Sequence, residues 1–268
     1  ASTKKDINWK GYFVKLTIGY FYPELLNLYG DDGNVQILAS RARSRGIEVE
    51  VINITPKTEL TEEMMHSIDL VFMGGGPDSS QHGMYEDLLH KKGPLLSKFI
   101  EDEGVGLFIC GSYQLLGNYY KAANGKVLDG VGVFDVHTVS FGTKKPRCIG
   151  NVVCEIMPEL RHDETFNSVN KLGDTLVGFE NHGGRTYLGK NILPFAKVLM
   201  GHGNNSEDGY EGMLYKNSIG TYLHGPILAR NPHLADYLIA KSLNLESLEE
   251  LDDSLINSAH TASKKLKQ

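Results

Sequence analysis

Cys110 stands where an apolar run stops and small residues begin. The segment reads Val105-Gly106-Leu107-Phe108-Ile109-Cys110-Gly111-Ser112-Tyr113-Gln114-Leu115-Leu116-Gly117. A buried strand that breaks at a cysteine and resumes as a helix makes an elbow with a nucleophile at its tip. The thiol of such an elbow faces the free N–H groups and the positive dipole end of the helix, which favours thiolate. A thiolate attacks carbonyl carbon, and that chemistry needs a base and donors for the oxyanion. Free cysteines are more often buried small hydrophobes. Cys148 and Cys154 keep that plain reading, because neither lies at a strand-to-helix turn.

Parallel sheets bind ligands beyond the carboxyl ends of their strands. The run Leu70-Val71-Phe72-Met73 ends there in Gly74-Gly75-Gly76-Pro77-Asp78. A glycine brings its N–H close to an oxyanion with no Cβ in the way. Gly75 and Gly111 are therefore the candidate oxyanion donors, although a plain tight turn accounts for three glycines equally well. Ten histidines compete for the base. His224 ends the run Ser218-Ile219-Gly220-Thr221-Tyr222-Leu223 and opens the turn Gly225-Pro226. His182, in a Gly-rich loop, is the runner-up.

The elements that must hold these residues alternate between strand and helix patterns. Strands are expected at 13–20, 47–54, 70–73 and before Cys110, and helices over about 33–46 and 85–103, the latter broken near Gly93-Pro94. The second half is richer in strands, at 132–139, 149–156, 175–180 and 218–224. A polar loop covers 201–212, and a helix covers 232–243. The expectation is an α/β fold: a single three-layer domain with a mainly parallel, flavodoxin-like central sheet. Residues 1–10 read as a polar leader, 11–243 as the domain, and 244–268 as an amphipathic tail helix.

The chain has 268 residues, 41% of them hydrophobic and 22% charged, so a sizeable core can be buried. A formal net charge of -6 argues against a nucleic-acid partner, which needs a basic footprint. No apolar run approaches the roughly 18 residues of a membrane span. Three cysteines without a framework of spacings suggest a reducing, cytoplasmic setting. Cys148 and Cys154 are too far apart to bridge if they share one strand. No Cys/His cluster has metal-ligand spacing, and no metal site is expected.

Four pieces occur in order: the Gly74–Pro77 loop, the Cys110–Gly117 segment, Gly178-Phe179-Glu180-Asn181-His182-Gly183-Gly184, and Tyr222-Leu223-His224. Together they resemble class I glutamine amidotransferase domains of the cobyric acid synthase-like (CobB/CobQ-like) branch, over roughly residues 13–243. Within that branch the chain is similar to the free-standing GatD type, the glutaminase subunits of lipid II isoglutaminyl synthase. Relatives in cobalamin synthesis carry an ATP-dependent synthetase on the same polypeptide. This chain is expected to have no room for one and shows no Gly-x-x-x-x-Gly-Lys-Ser/Thr loop.

The resemblance implies a glutaminase. Cys110 would attack the carboxamide of L-glutamine, Gly75 and Gly111 would hold the oxyanion, and His224 would move the proton that lets ammonia leave. Gln114 matches a family position that contacts the bound glutamine and lies on the helix face of Cys110. Arg147 is the candidate for the substrate α-carboxylate, with Lys144, Lys145 and Arg185 as alternatives. No cofactor is expected in this chain. ATP and Mg would sit on a partner, a Mur ligase-like synthetase of the MurT type that amidates D-glutamate in lipid II. The tail after Leu243 is a candidate docking element, although such tails more often pack on their own domain.

Two positions depart from the family. Pro226 replaces the glutamate that usually orients the histidine, so a Cys–His dyad is expected unless a distant acid serves, with turnover then depending on the partner. Phe108 stands where elbows prefer a small residue, and Gly111 is expected to relieve the crowding. Three other functions stay open: a glutaminase for another acceptor such as cobyrinic acid, a γ-glutamyl hydrolase-like enzyme, and a non-catalytic module of the same fold.

Overall fold

The structure, a computed structural model, describes residues 14–76 and 81–266. The proposed leader at 1–10 and the Pro77-Asp78 end of the glycine loop lie outside the described residues. In chain order the first half comprises β1 (Lys15–Phe21), α1 (Asp32–Arg43), β2 (Glu48–Ile54), α2 (Glu62–Ser67), β3 (Leu70–Met73), α3 (Gln81–Asp87), α4 (Gly93–Glu101), β4 (Val105–Ile109) and α5 (Gly111–Leu115). The second half comprises β5 (Tyr119–Lys121), β6 (Val127–Asp129), β7 (Val136–Ser140), β8 (Cys148–Ile156), α6 (Pro158–Arg161), α7 (Glu164–Val169), β9 (Thr175–His182), β10 (Gly184–Leu188), β11 (Ala196–Met200), β12 (Tyr210–Glu211), β13 (Met213–Tyr215), β14 (Ser218–Thr221), α8 (Pro232–Ser242) and α9 (Ser254–Ser263).

The central sheet has the order β13-β14-β4-β3-β1-β2. Its strands pair in parallel from β14 to β2, and only β13 runs the other way. Counting along the parallel strands, this is the doubly wound order 2-1-3-4-5 of flavodoxin-like folds. The local sequence explains the strand positions. Every residue of β3 and β4 is buried, as central strands covered on both faces require. β2 carries the charged alternation of an edge strand. α8 buries nine consecutive residues, Pro232 to Ala240, and packs on α1, β3 and β4.

The strand order reverses at β1, so the carboxyl ends of β1, β3, β4 and β14 surround one crevice. Every candidate residue of the catalytic group follows one of these ends. Two further sheets, β10-β7-β5-β6 and β12-β11-β8-β9, form from the strand-rich second half. The expected strand at 132–139 is confined to 136–140, and the one at 218–224 ends at Thr221. The helix expected over 85–103 is two α-helical segments joined by a π-helical turn, Leu88–Lys92, with Pro94 in the first turn of α4. Proline is tolerated there because a first-turn N–H has no intrahelical acceptor.

The tail is helical only over α9 and is fastened to its own domain. Arg41 spans Asp236 and Asp253, and Arg45 adds bonds to Asp236 and to the Glu249 carbonyl. His260 is fully buried, with Nδ1 donating to the Arg230 carbonyl at 2.7 Å. Among the described residues no helix is long and apolar enough to cross a membrane.

Candidate active site

Cys110 has φ 51° and ψ -104°, between β4 and α5. A non-glycine residue held there stores roughly 1–3 kcal/mol of strain, sustained only where the surroundings over-determine it. Two bonds do so. The Cys110 N–H donates to the Thr221 carbonyl at the end of β14 (2.8 Å). The Ser112 hydroxyl reaches the Met73 carbonyl at the end of β3 (2.7 Å) and the Ile109 carbonyl (3.0 Å). The elbow is thus tied to the strands on both sides. Gly75 follows one of those anchors by two residues, and His224 follows the other by three. Phe108 is accommodated by Gly106 rather than Gly111: a Cβ on Gly106 would lie 2.5 Å from the Phe108 ring. That ring packs edge-on against Phe134 at 5.5 Å.

His224 lies beyond β14 and is gripped through its backbone. Its N–H and carbonyl pair with Phe179 of β9, at 2.7 and 3.1 Å. The imidazole is buried, and Nδ1 lies 3.1 Å from Asp31 Oδ1, which is fully buried. Nε2 is the ring nitrogen left without a well-aligned partner. Burial alone would push this histidine down. The Asp31 carboxylate and the adjoining Cys110 outweigh that and raise it to about 10. The Tyr29 ring stands edge-on over the imidazole at 5.0 Å between ring centres.

Asp31 is the carboxylate that sequence reading missed. It occupies the N-cap position of α1, where aspartate is a common helix-starting residue, yet its side chain makes no capping bond. Both oxygens face the site instead: Oδ1 toward His224, and Oδ2 accepting from the Gly75 N–H at 2.8 Å. Pro226 is part of the same arrangement. A Cβ on Gly33 would fall 2.6 Å from the Pro226 ring, so this turn packs directly on the start of α1. Asp31 is the distant acid that the sequence left open, so the dyad becomes a Cys110–His224–Asp31 group, and the partner dependence expected from a missing orienter loses its basis.

The Gly75 N–H, expected to face an oxyanion, is held by Asp31 in this conformation. The loop must be glycine for a separate reason. A Cβ on Gly74 would lie 2.3 Å from the Leu26 carbonyl, so the β1–α1 loop and the glycine loop touch backbone to backbone. Gly111 is the first residue of α5, and a first-turn N–H has no acceptor within the helix.

The expected substrate residues flank the Gly183-Gly184 pair: a Cβ on Gly183 would lie 3.1 Å from Arg147 Nη1 and one on Gly184 2.6 Å from Gln114 Nε2. Gln114 lies one turn beyond Cys110 on α5, with Nε2 donating to Tyr222 Oη at 2.8 Å. Arg147 is exposed. It donates from Nε to Asn181 Oδ1 (3.1 Å), and Asn181 Nδ2 donates to Tyr29 Oη (2.6 Å). Its rivals are placed otherwise. Lys145 pairs with Glu207 at 2.5 Å, and Lys144 is exposed in the turn after Phe141. Arg185 is buried and braces the Asn205 and Pro146 carbonyls.

His182 is not beside the thiol group's base position. Its Nδ1 donates to the Gly184 carbonyl at 2.7 Å, and its ring stacks on Tyr222 with centres 3.7 Å apart. Cys148 and Cys154 are buried in β8, and burial raises both thiols. Among the described residues no group of three or more His, Cys, Asp or Glu can hold a metal ion.

The chain resembles known proteins in sequence and in fold. The family model for the CobB/CobQ-like glutamine amidotransferase domain matches residues 17–232. The chain is 40% identical over 252 residues to subunit GatD of the glutamine-hydrolyzing lipid II isoglutaminyl synthase of Staphylococcus aureus, covering 94% of each chain. To the subunit of the same name from Streptococcus pneumoniae it is 38% identical over 241 residues, covering 90% of this chain and 84% of that one. A glutamine amidotransferase from Thermotoga maritima shares the fold at 18% identity, with a TM-score of 0.51 and coverage of 93% and 92%. The glutaminase domain of Trypanosoma brucei CTPS, solved with acivicin, shares it at 8% identity, with a TM-score of 0.54 and coverage of 88% and 98%. A strained cysteine elbow, a carboxylate-held histidine and a match across most of the chain together establish that this protein belongs to the CobB/CobQ-like glutamine amidotransferase family.

Proposed function

We propose that the chain is the glutaminase subunit of a lipid II isoglutaminyl synthase. The observation that carries the chemistry is Cys110, strained at the elbow, beside a histidine whose far nitrogen Asp31 holds. Cys110 Sγ attacks the carboxamide carbon of L-glutamine, and the carbonyl electrons move onto oxygen. In this reading the Gly111 N–H receives that oxyanion. The Gly75 N–H joins it once released from Asp31. His224 gives a proton to the leaving nitrogen as the C–N bond breaks, and ammonia departs. The glutamyl thioester remains on Cys110. Water, deprotonated by His224, then attacks the thioester carbon, releasing glutamate and restoring the thiol. Arg147 supplies a guanidinium for the α-carboxylate, and Gln114 faces the substrate from α5.

The acceptor reading rests on the two GatD relatives, each matched over most of its length. In it, a cytoplasmic Mur ligase-like synthetase of the MurT type binds this chain. ATP and Mg on that partner activate the α-carboxyl of D-glutamate in the lipid II stem peptide, and ammonia converts it to D-isoglutamine. The test is reconstitution of the two subunits with lipid II, ATP and L-glutamine. Amidated lipid II is expected with the wild-type chain and is expected to vanish with Cys110→Ala, then return on adding ammonium chloride. Glutamine-dependent amidation that persists with Cys110→Ala overturns the proposal.

A further inference from the structure

A chain of buried hydroxyls runs from the active-site wall into the second sheet. Gln114 Nε2 donates to Tyr222 Oη at 2.8 Å. Tyr222 Oη and Thr186 Oγ1 are 2.6 Å apart, and Thr186 Oγ1 and Thr138 Oγ1 are 2.7 Å apart. Tyr222, Thr186 and Thr138 are all fully buried. Thr138 and Thr186 face each other across the β7–β10 ladder, so their spacing is set by strand register. The phenol ring has no freedom to swing. It stacks on His182 at 3.7 Å and tilts against Tyr113 at 5.4 Å, and the Tyr113 hydroxyl is itself held by Asn204 Oδ1.

Tyr222 Oη accepts from Gln114, and each of the Tyr222–Thr186 and Thr186–Thr138 contacts can be donated from either hydroxyl. Burial pushes the Tyr222 phenol far above its ordinary range, so it stays a neutral donor. Gly184 leaves the space for the amide: a Cβ there would lie 2.6 Å from Gln114 Nε2 and 2.8 Å from Thr138 Cγ2. With Nε2 committed to Tyr222, the carbonyl oxygen is the end of the Gln114 amide turned away from the chain. Gln114 is half-buried on α5, and its backbone N–H donates to the Cys110 carbonyl at 3.0 Å.

We propose that Tyr222, backed by Thr186 and Thr138, is a positioning residue that holds the Gln114 amide in place for contact with the bound glutamine. This rests on reading Gln114 as a glutamine contact. An amide without the Tyr222 hydroxyl would lose its fixed place and hold glutamine more weakly.

The test measures steady-state glutamine hydrolysis by the full chain, in its synthetase complex, for Tyr222→Phe, Thr186→Val, Thr186→Ser and Gln114→Ala. Tyr222→Phe and Thr186→Val are expected to raise KM for L-glutamine roughly three- to tenfold, about one net hydrogen bond, with kcat within about twofold. Thr186→Ser, which keeps the hydroxyl, is expected to restore the wild-type KM. Labelling of Cys110 by 6-diazo-5-oxo-L-norleucine should slow in step with KM, while labelling by iodoacetamide should not change. If Gln114→Ala raises KM and Tyr222→Phe does not, the lock is wrong. Should Gln114→Ala itself leave KM unchanged, the reading of Gln114 beneath it is wrong. Equal loss of both labelling reactions would mean a merely structural role and would also overturn the proposal.

Discussion

Replacing Asp31 with asparagine should do more damage than losing one charge, because the Gly75 N–H dictates how the new amide must sit. In the resting site that N–H takes an acceptor where Oδ2 now lies. The asparagine carbonyl therefore takes that place, and its NH2 faces His224 Nδ1. A donor at Nδ1 forces that nitrogen to accept, which moves the imidazole proton to Nε2, the nitrogen needed free for proton transfer. The lost bond is charge-assisted and fully buried, so it contributes about 1.5–3 kcal/mol. At about 1.36 kcal/mol per decade that alone is roughly a 10- to 100-fold fall in kcat, and the wrong tautomer deepens it. The assay is glutamate release from L-glutamine by the complex, with circular dichroism confirming the fold. Stability supplies a second readout. The folded-state pKa of His224, about 10, lies above its ordinary 6.5. The contribution of this contact is thus full below about pH 6.5 and is lost as pH rises through about 10. The unfolding penalty of Asp31→Asn should shrink at the alkaline end. A variant with kcat within threefold of wild type would refute the assignment of Asp31 as the orienter.

Arg147→Ala should raise KM for glutamine by roughly 10- to 100-fold, the range for one charge-assisted contact to a carboxylate, while Lys144→Ala and Lys145→Ala leave it near wild type; initial-rate kinetics decide between them. Glu211 is fully buried, with Oε1 accepting from Thr221 and Tyr222 and Oε2 unpartnered, and burial raises it from 4.5 to about 7. Its neutral form is the one that suits the fold, so its contribution is present below about pH 4.5 and is lost as pH rises through about 7. Glu211→Gln should therefore flatten the fall in melting temperature between pH 5 and 8, and an unchanged slope would count against that reading.

The half of the site that follows strand ends was legible in the sequence. An all-apolar run breaking at Cys110 has few readings, and the glycine loop and Tyr222-Leu223-His224 close equivalent strands of the same sheet. Asp31 was hidden because Asp31-Asp32-Gly33-Asn34 reads as an ordinary helix start, and nothing local says that the side chain makes no cap. Its role comes from pairings of high sequence separation: His224 with Asp31, and Pro226 against Gly33. The Gly75 N–H direction is a matter of one peptide's orientation, which glycine leaves open. The accessory sheets were visible as strands but not as two separate layers, since hydrophobic alternation tells which face is buried and not which partner buries it. The tail's helical pattern was real over α9, whereas its docking depends on buried ion pairs between Arg41, Asp236 and Asp253.

The central claim is that glutamine passes through a thioester on Cys110. Acid quenching of the complex during turnover of L-glutamine, followed by peptide mass spectrometry, tests it directly. A glutamyl group on the peptide holding Cys110 is predicted. It should be absent from the peptides holding Cys148 and Cys154, and absent altogether in Cys110→Ala, which should release no ammonia above background. Wild-type ammonia release from Cys110→Ala would contradict the account.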